Sequence, residues 1–141
     1  MSELKCAIGL FGTAGQSRWR DPVMTRLEQE GIPYFNPIVD EWTPECAPLE
    51  AENLATDKVL LFVVTGEEES FGSLAETGWA ALSGMQNGQT VLFVIQNYPA
   101  APQATPNRAR ELVRSHARRA GVAIFDTVEE ALEAAVVAFR S

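Results

Sequence analysis

Glu76 is the side chain on which chemistry could turn. It lies in Ser70-Phe71-Gly72-Ser73-Leu74-Ala75-Glu76-Thr77-Gly78-Trp79-Ala80, which follows an apolar run and opens a helical pattern. A carboxylate one turn inside a helix is favoured in its ionised form by the helix dipole, which suits a nucleophile. The same spacing has a purely structural meaning: Ser73 and Glu76 stand in S-x-x-E order, and in a capping box the glutamate only accepts the N-cap amide. Spacing alone favours the cap, and both roles use the charged form. A second candidate is Gly12-Thr13-Ala14-Gly15-Gln16-Ser17. It lacks the lysine of a phosphate-binding P-loop and the three-glycine dinucleotide fingerprint. Its small residues, Gly12 and Thr13 first, would still let backbone amides approach a ligand, with Arg18 and Arg20 either meeting an anion or lying in solvent. Trp42, in a loop rich in proline and acids, offers a flat surface for a ring, whereas Trp19 and Trp79 lie on apolar helix patterns and read as packing residues.

These residues must be positioned by the elements between them. Leu4 to Phe11, Val59 to Val64 and Val91 to Ile95 are unbroken apolar runs, the signature of strands covered on both faces, with Ile32 to Phe35 and Val122 to Phe125 as weaker strands. Helical patterns alternate with them: one carries Trp19, Val23, Met24 and Leu27, three span Pro48 to Thr56, Ser73 to Met85 and Thr105 to Ala120, and the last opens at Asp126 and Glu129 in capping-box spacing. Strict alternation predicts a doubly wound, flavodoxin-like α/β sandwich, its five-stranded, mainly parallel sheet covered by helices on both faces. Ligands of such sheets bind beyond the carboxyl ends of the strands, so function should gather in the loops at residues 12–18, 65–73 and 96–106. The stretch from Asn36 to Pro48 is long for a connection in a compact domain, as binding segments tend to be.

Composition narrows the partners. The 141 residues, 46% apolar and 21% charged, fit one domain over 1–141. No apolar stretch is long enough for a spanning helix, and Met1 to Lys5 lacks signal-peptide character, so the expectation is a cytoplasmic protein with no membrane partner. Cys6, Cys46 and one histidine supply no zinc spacing, so neither a metal nor a cofactor is expected. The net charge is −8, and twelve acids face a single cation, Lys58, between Leu27 and Asn107. Nucleic-acid binding would need clustered cations and is not expected. Arg108, Arg110, Arg114, Arg118 and Arg119 are five cations on one helix pattern that leaves Leu112, Val113, Ala117 and Ala120 for the core, so the arginines should mainly decorate its exposed side or meet an acidic subunit.

The order strand, Ser70-x-Gly72-x-x-x-Glu76-x-Gly78-x-Ala80, strand resembles the nucleoside 2-deoxyribosyltransferase superfamily. Phe11-Gly12-Thr13, Trp19, Phe35-Asn36-Pro37, Trp42 and Thr56-Asp57 are also similar to its members, so the likeness covers roughly residues 8–97. The resemblance implies cleavage or transfer at the N-glycosidic bond of a nucleoside or nucleoside 5′-monophosphate, with Glu76 attacking C1′. It also implies a general acid in the helix before Asp57, where Glu50 and Glu52 stand, although solvated helix faces are the usual place for such residues. Ser70 stands where transferases of the family carry aspartate and where its monophosphate-hydrolysing branch carries a serine that binds phosphate. The neighbouring Glu67, Glu68 and Glu69 would repel a dianion unless they point to solvent. Asn97 resembles a polar residue supplied by a neighbouring subunit, which implies a homo-oligomer of at least two chains. The competing expectation is a non-catalytic module of the same fold that binds or senses a nucleotide.

Overall fold

A computed structural model describes residues 3–141. Five strands alternate with five helices: β1 (Lys5–Gly12), α1 (Arg20–Gln29), β2 (Tyr34–Phe35), α2 (Cys46–Thr56), β3 (Asp57–Val64), α3 (Phe71–Asn87), β4 (Thr90–Ile95), α4 (Thr105–Ala120), β5 (Ala123–Phe125) and α5 (Val128–Phe139). All pair in parallel in the order β2-β1-β3-β4-β5, the doubly wound flavodoxin-like arrangement. The strand direction of the crossovers decides the layers. From β1 the chain moves outward to β2 over one face, then returns across β1 to β3 and onward to β5 over the other.

Two apolar cores result. Ile8, Leu10, Val59, Leu61 and Val63 pack with Trp19, Val23 and Leu27 of α1 and with Ala131, Leu132, Ala135 and Val136 of α5. On the opposite face Phe11, Leu60, Phe62 and Phe93 pack beneath Leu54 of α2, Leu74 and Ala81 of α3, and Ala117 of α4. Because β3 is central, its side chains from Val59 to Val64 are fully buried on both faces, which explains the absence of polar alternation.

Several local expectations are corrected. The second strand contains only Tyr34 and Phe35, because Pro33 has no amide to continue a ladder and serves only as an acceptor for the Ile8 amide. The last helix is capped by Thr127, whose Oγ1 accepts the Glu130 amide at 3.2 Å and donates to the Glu130 carboxylate, so the capping box lies one residue beyond Asp126 and Glu129. Among the described residues no helix is long and apolar enough to cross a membrane.

Candidate active site

A crevice of about 560 Å³ opens at the carboxyl ends of β1 and β3, lined among others by Gly12, Trp42, Glu50, Ser70, Gly72 and Glu76. Its first wall is the end of β1. Gly12 has φ +129°, and a Cβ there would fall 1.9 Å from the Val63 carbonyl oxygen, so only glycine lets the chain leave the sheet this closely. Thr13 follows, buried behind the wall rather than lining it. Its amide donates to Val63 at 2.9 Å, and its Oγ1 accepts the Thr65 amide at 2.9 Å and shares a 2.8 Å hydrogen bond with the Ser70 hydroxyl. One threonine therefore ties the loop after β1 to the loop after β3.

Arg20 fixes the same turn from beneath. It is 4% exposed and donates to the carbonyls of Leu10, Gly12 and Thr13, while Trp19 Nε1 also donates to Thr13. Burial lowers its pKa to about 10, which leaves it a cation at neutral pH on the crevice wall. The expected solvated arginine is realised only by Arg18, which is exposed and pairs with Asp21 at 2.7 Å.

The second wall is the start of α3, and the capping box expected of Ser73 and Glu76 is not formed. The helix begins earlier, at Phe71, with Ser70 as its N-cap residue and no side-chain cap. Ser70 has φ +58°, and it is the one non-glycine residue with positive φ among the described residues. A left-handed serine costs about 1 kcal/mol or more and marks a turn held by its surroundings, here by Thr13 Oγ1. With the helix starting at 71, Ser73 lies inside the first turn and Glu76 in the second, its carboxylate free of the N-cap and open to the crevice.

Glu50 of α2 lines the opposite side. Partial desolvation by the crevice walls raises the Glu76 pKa from its ordinary value, and the negative charge of Glu50 raises it further. The two carboxylates are therefore electrically coupled across one cavity. Glu52 is exposed and lies away from the lining, so of the two acids expected in α2 the structure brings only Glu50 to the site. Trp42 is 59% exposed and stands at the rim beside Pro37, Ile38 and Val39.

Of the three acids in the loop after β3 only Glu68 turns inward, while Glu67 and Glu69 are exposed. The Glu68 carboxylate accepts the Gln16 amide at 3.0 Å and lines the crevice, and Glu67 accepts from the Ser17 hydroxyl at 3.1 Å. Asn97 is exposed, outside the crevice of its own chain, with its side-chain oxygen accepting from Arg114 at 2.9 Å. Two helical readings are overturned here. Arg110 is fully buried, donating to the carbonyls of Thr65, Glu68 and Pro106, and so anchors the crevice loop after β3, while Arg114 reaches the Ile95 carbonyl at the end of β4. Trp79 is not a packing residue but 73% exposed, and Leu112 is exposed where a core position was expected.

Sequence reasoning missed Arg20 and Arg110 as loop anchors. Only the excess of carbonyls in glycine-rich turns hints at a need for buried donors. Among the described residues no group of three His, Cys, Asp or Glu side chains is placed to hold a metal. No protein-family model matches the chain, and neither does any curated protein.

Proposed function

We propose that the protein cleaves, or transfers a group at, the N-glycosidic bond of a nucleoside or nucleoside 5′-monophosphate. The observation that carries this reading is the presence of Glu76 and Glu50 together on the lining of one open crevice. Two carboxyl groups flanking a cavity are the working parts of glycosidases, retaining and inverting alike.

In the proposed reaction an ionised Glu76 oxygen attacks C1′ as the C1′–N bond to the base breaks. The electron pair leaves on the base nitrogen, which takes the single proton held by the carboxyl pair, a proton that must sit on Glu50 when Glu76 is ionised. The glycosyl ester of Glu76 is then attacked at C1′ by water or by a second base. Glu50 accepts the proton released from that nucleophile, and Glu76 departs as carboxylate. Water makes the protein a hydrolase and a base makes it a transferase. Trp42 supplies an aromatic face at the rim for the nucleobase, and Gly12 and Gly72 leave the two walls free of side chains at their positions. Ser70 and the buried Arg20 favour a phosphorylated sugar, while Glu68 on the same wall opposes one.

The test incubates the protein with a panel of nucleosides and 5′-monophosphates and follows free base by chromatography. Release of base that disappears in Glu76→Gln is expected, and release undiminished by that change discards Glu76 as nucleophile. Monophosphates should outcompete nucleosides if Ser70 recognises phosphate, and equal use of both removes that role. Nucleotides that raise the melting temperature without any product would instead favour the binding-module reading.

A further inference from the structure

The crevice is negative before any ligand enters it. Its lining holds three carboxyl groups, Glu50, Glu68 and Glu76, and one cation, Arg20. Even with one proton held between Glu50 and Glu76, two negative charges remain. Against them stand one guanidinium and the start of α3, which counts as about half a positive charge. The guanidinium is also occupied, since it donates to the carbonyls of Leu10, Gly12 and Thr13. A dianion at this wall would meet net repulsion, and a partly desolvated crevice transmits it more strongly than bulk water does.

Glu68 is built into this wall. Gly15, at φ +67°, leaves the space that the side chain fills, because a Cβ there would stand 2.6 Å from Glu68 Oε1. Oε1 accepts the Gln16 amide at 3.0 Å, and the Glu68 backbone carbonyl accepts from the fully buried Arg110 at 2.9 Å. Among the described residues Oε2 accepts no hydrogen bond, so it is the oxygen left for a ligand. Ser70, two residues on, has its hydrogen bonding decided by Thr13. Thr13 is 1% exposed and its hydroxyl oxygen accepts the Thr65 amide, so its own hydrogen needs an acceptor inside the protein. The Ser70 oxygen, 2.8 Å away, is that acceptor. The Ser70 hydrogen then reaches the Glu68 carbonyl only at 3.4 Å and is free to turn to a ligand oxygen. The wall therefore offers one acceptor and one donor. A hydroxyl group answers both, donating to the carboxylate and accepting from the serine, whereas a phosphate dianion offers acceptors alone.

We propose that Glu68 sets the phosphorylation state of the substrate: it accepts a hydrogen bond from a free sugar hydroxyl and excludes a sugar that carries phosphate at that position. This rests on the crevice being a nucleoside site. It gives Ser70 a hydroxyl as its partner instead of a phosphate, and it selects the nucleoside over the nucleoside 5′-monophosphate.

The test reads binding apart from turnover. Dissociation constants for each common nucleoside and its 5′-monophosphate are measured by calorimetry on Glu76→Gln, so that no ligand is consumed. The best-bound nucleoside should bind about tenfold or more tighter than its monophosphate in low salt, and the ratio should shrink as salt is raised to about 0.5 M. Glu68→Gln in the same background keeps an acceptor for the Gln16 amide and removes the charge. It should lower the ratio about tenfold, tightening the monophosphate, while circular dichroism stays unchanged. A monophosphate bound as tightly as its nucleoside, or a ratio that Glu68→Gln does not move, overturns the proposal and leaves the glycosidic reading standing. Selective nucleoside binding with no base released by the unaltered protein overturns that reading and leaves the role of Glu68 standing. Binding of neither ligand, by this variant or by the unaltered protein, overturns both.

Discussion

The two ends of β3 each hold a carboxyl group whose pKa is raised, and they are opposites in every other respect. At the carboxyl end Glu76 opens into a wide crevice, faces a second acid and is surrounded by loops whose buried donors are anchored on backbone carbonyls. At the amino end Asp57 is fully buried, and both carboxylate oxygens lack a hydrogen-bond partner among the described residues. Burial raises its pKa to about 6, with Lys5 pulling the other way. Gln89 donates to the Asp57 backbone carbonyl rather than to the carboxylate. A displaced pKa therefore does not distinguish chemistry from strain; access does. Desolvation with a route for substrate makes a candidate catalyst, and desolvation without one makes a cost to stability.

The widest break between the ends is in turnover. Glu76→Gln should lower base release by about 10⁴-fold or more, and Glu50→Gln by about 10²- to 10⁴-fold, whereas Asp57→Asn should leave the rate within about twofold. Steady-state rates on the best substrate of the panel check all three.

Stability should show the reverse order. Asp57 binds its proton more tightly when folded, so the folded protein carries the extra proton between about pH 3.8 and about 6. Stability contributed by the protonated form is complete below that window and is lost as pH rises through it, a fall of about 3 kcal/mol. Denaturant titrations should find Asp57→Asn more stable than the parent at pH 8 by up to that amount and equal to it at pH 3.5. A parent whose stability is flat between these limits would remove Asp57 as a strained group.

A finer comparison concerns the coupling at the open end. Replacing Glu50 by glutamine deletes the charge that raises the Glu76 pKa, so the Glu76 carboxyl should titrate at lower pH in Glu50→Gln, measured by carbon NMR of the labelled side chain. The smallest effect expected is that of Glu52→Gln, only two residues from Glu50 but exposed and outside the crevice: stability within about 0.5 kcal/mol and little change in rate.

The fold was legible because its strands advertise themselves. Val59 to Val64 has no polar residue to turn outward, and only a central parallel strand tolerates that. The site was legible in part. Glu76 and Ser70 reach one crevice as their loop positions imply, but the start of α3 was misplaced, since nothing in the local sequence announces a serine in the left-handed region held by Thr13 of the loop after β1. Glu50 and Glu52 could not be told apart without knowing the rotation of α2. Arg110 hid for another reason: arginines are almost never fully buried, and the carbonyls of Thr65 and Glu68 that it serves lie 45 and 42 residues away. Trp79 was misread because an apolar stripe looks the same whether it covers its own sheet or faces outward.

The brevity of β2 and β5, two and three residues at the borders of the sheet, limits how this molecule can aggregate. A stranger's backbone finds almost no free ladder of amides and carbonyls to extend, so fibril-like growth from the sheet rim lacks a template. The exposed surface left to meet other molecules is then chiefly that of the helical layers and the loops.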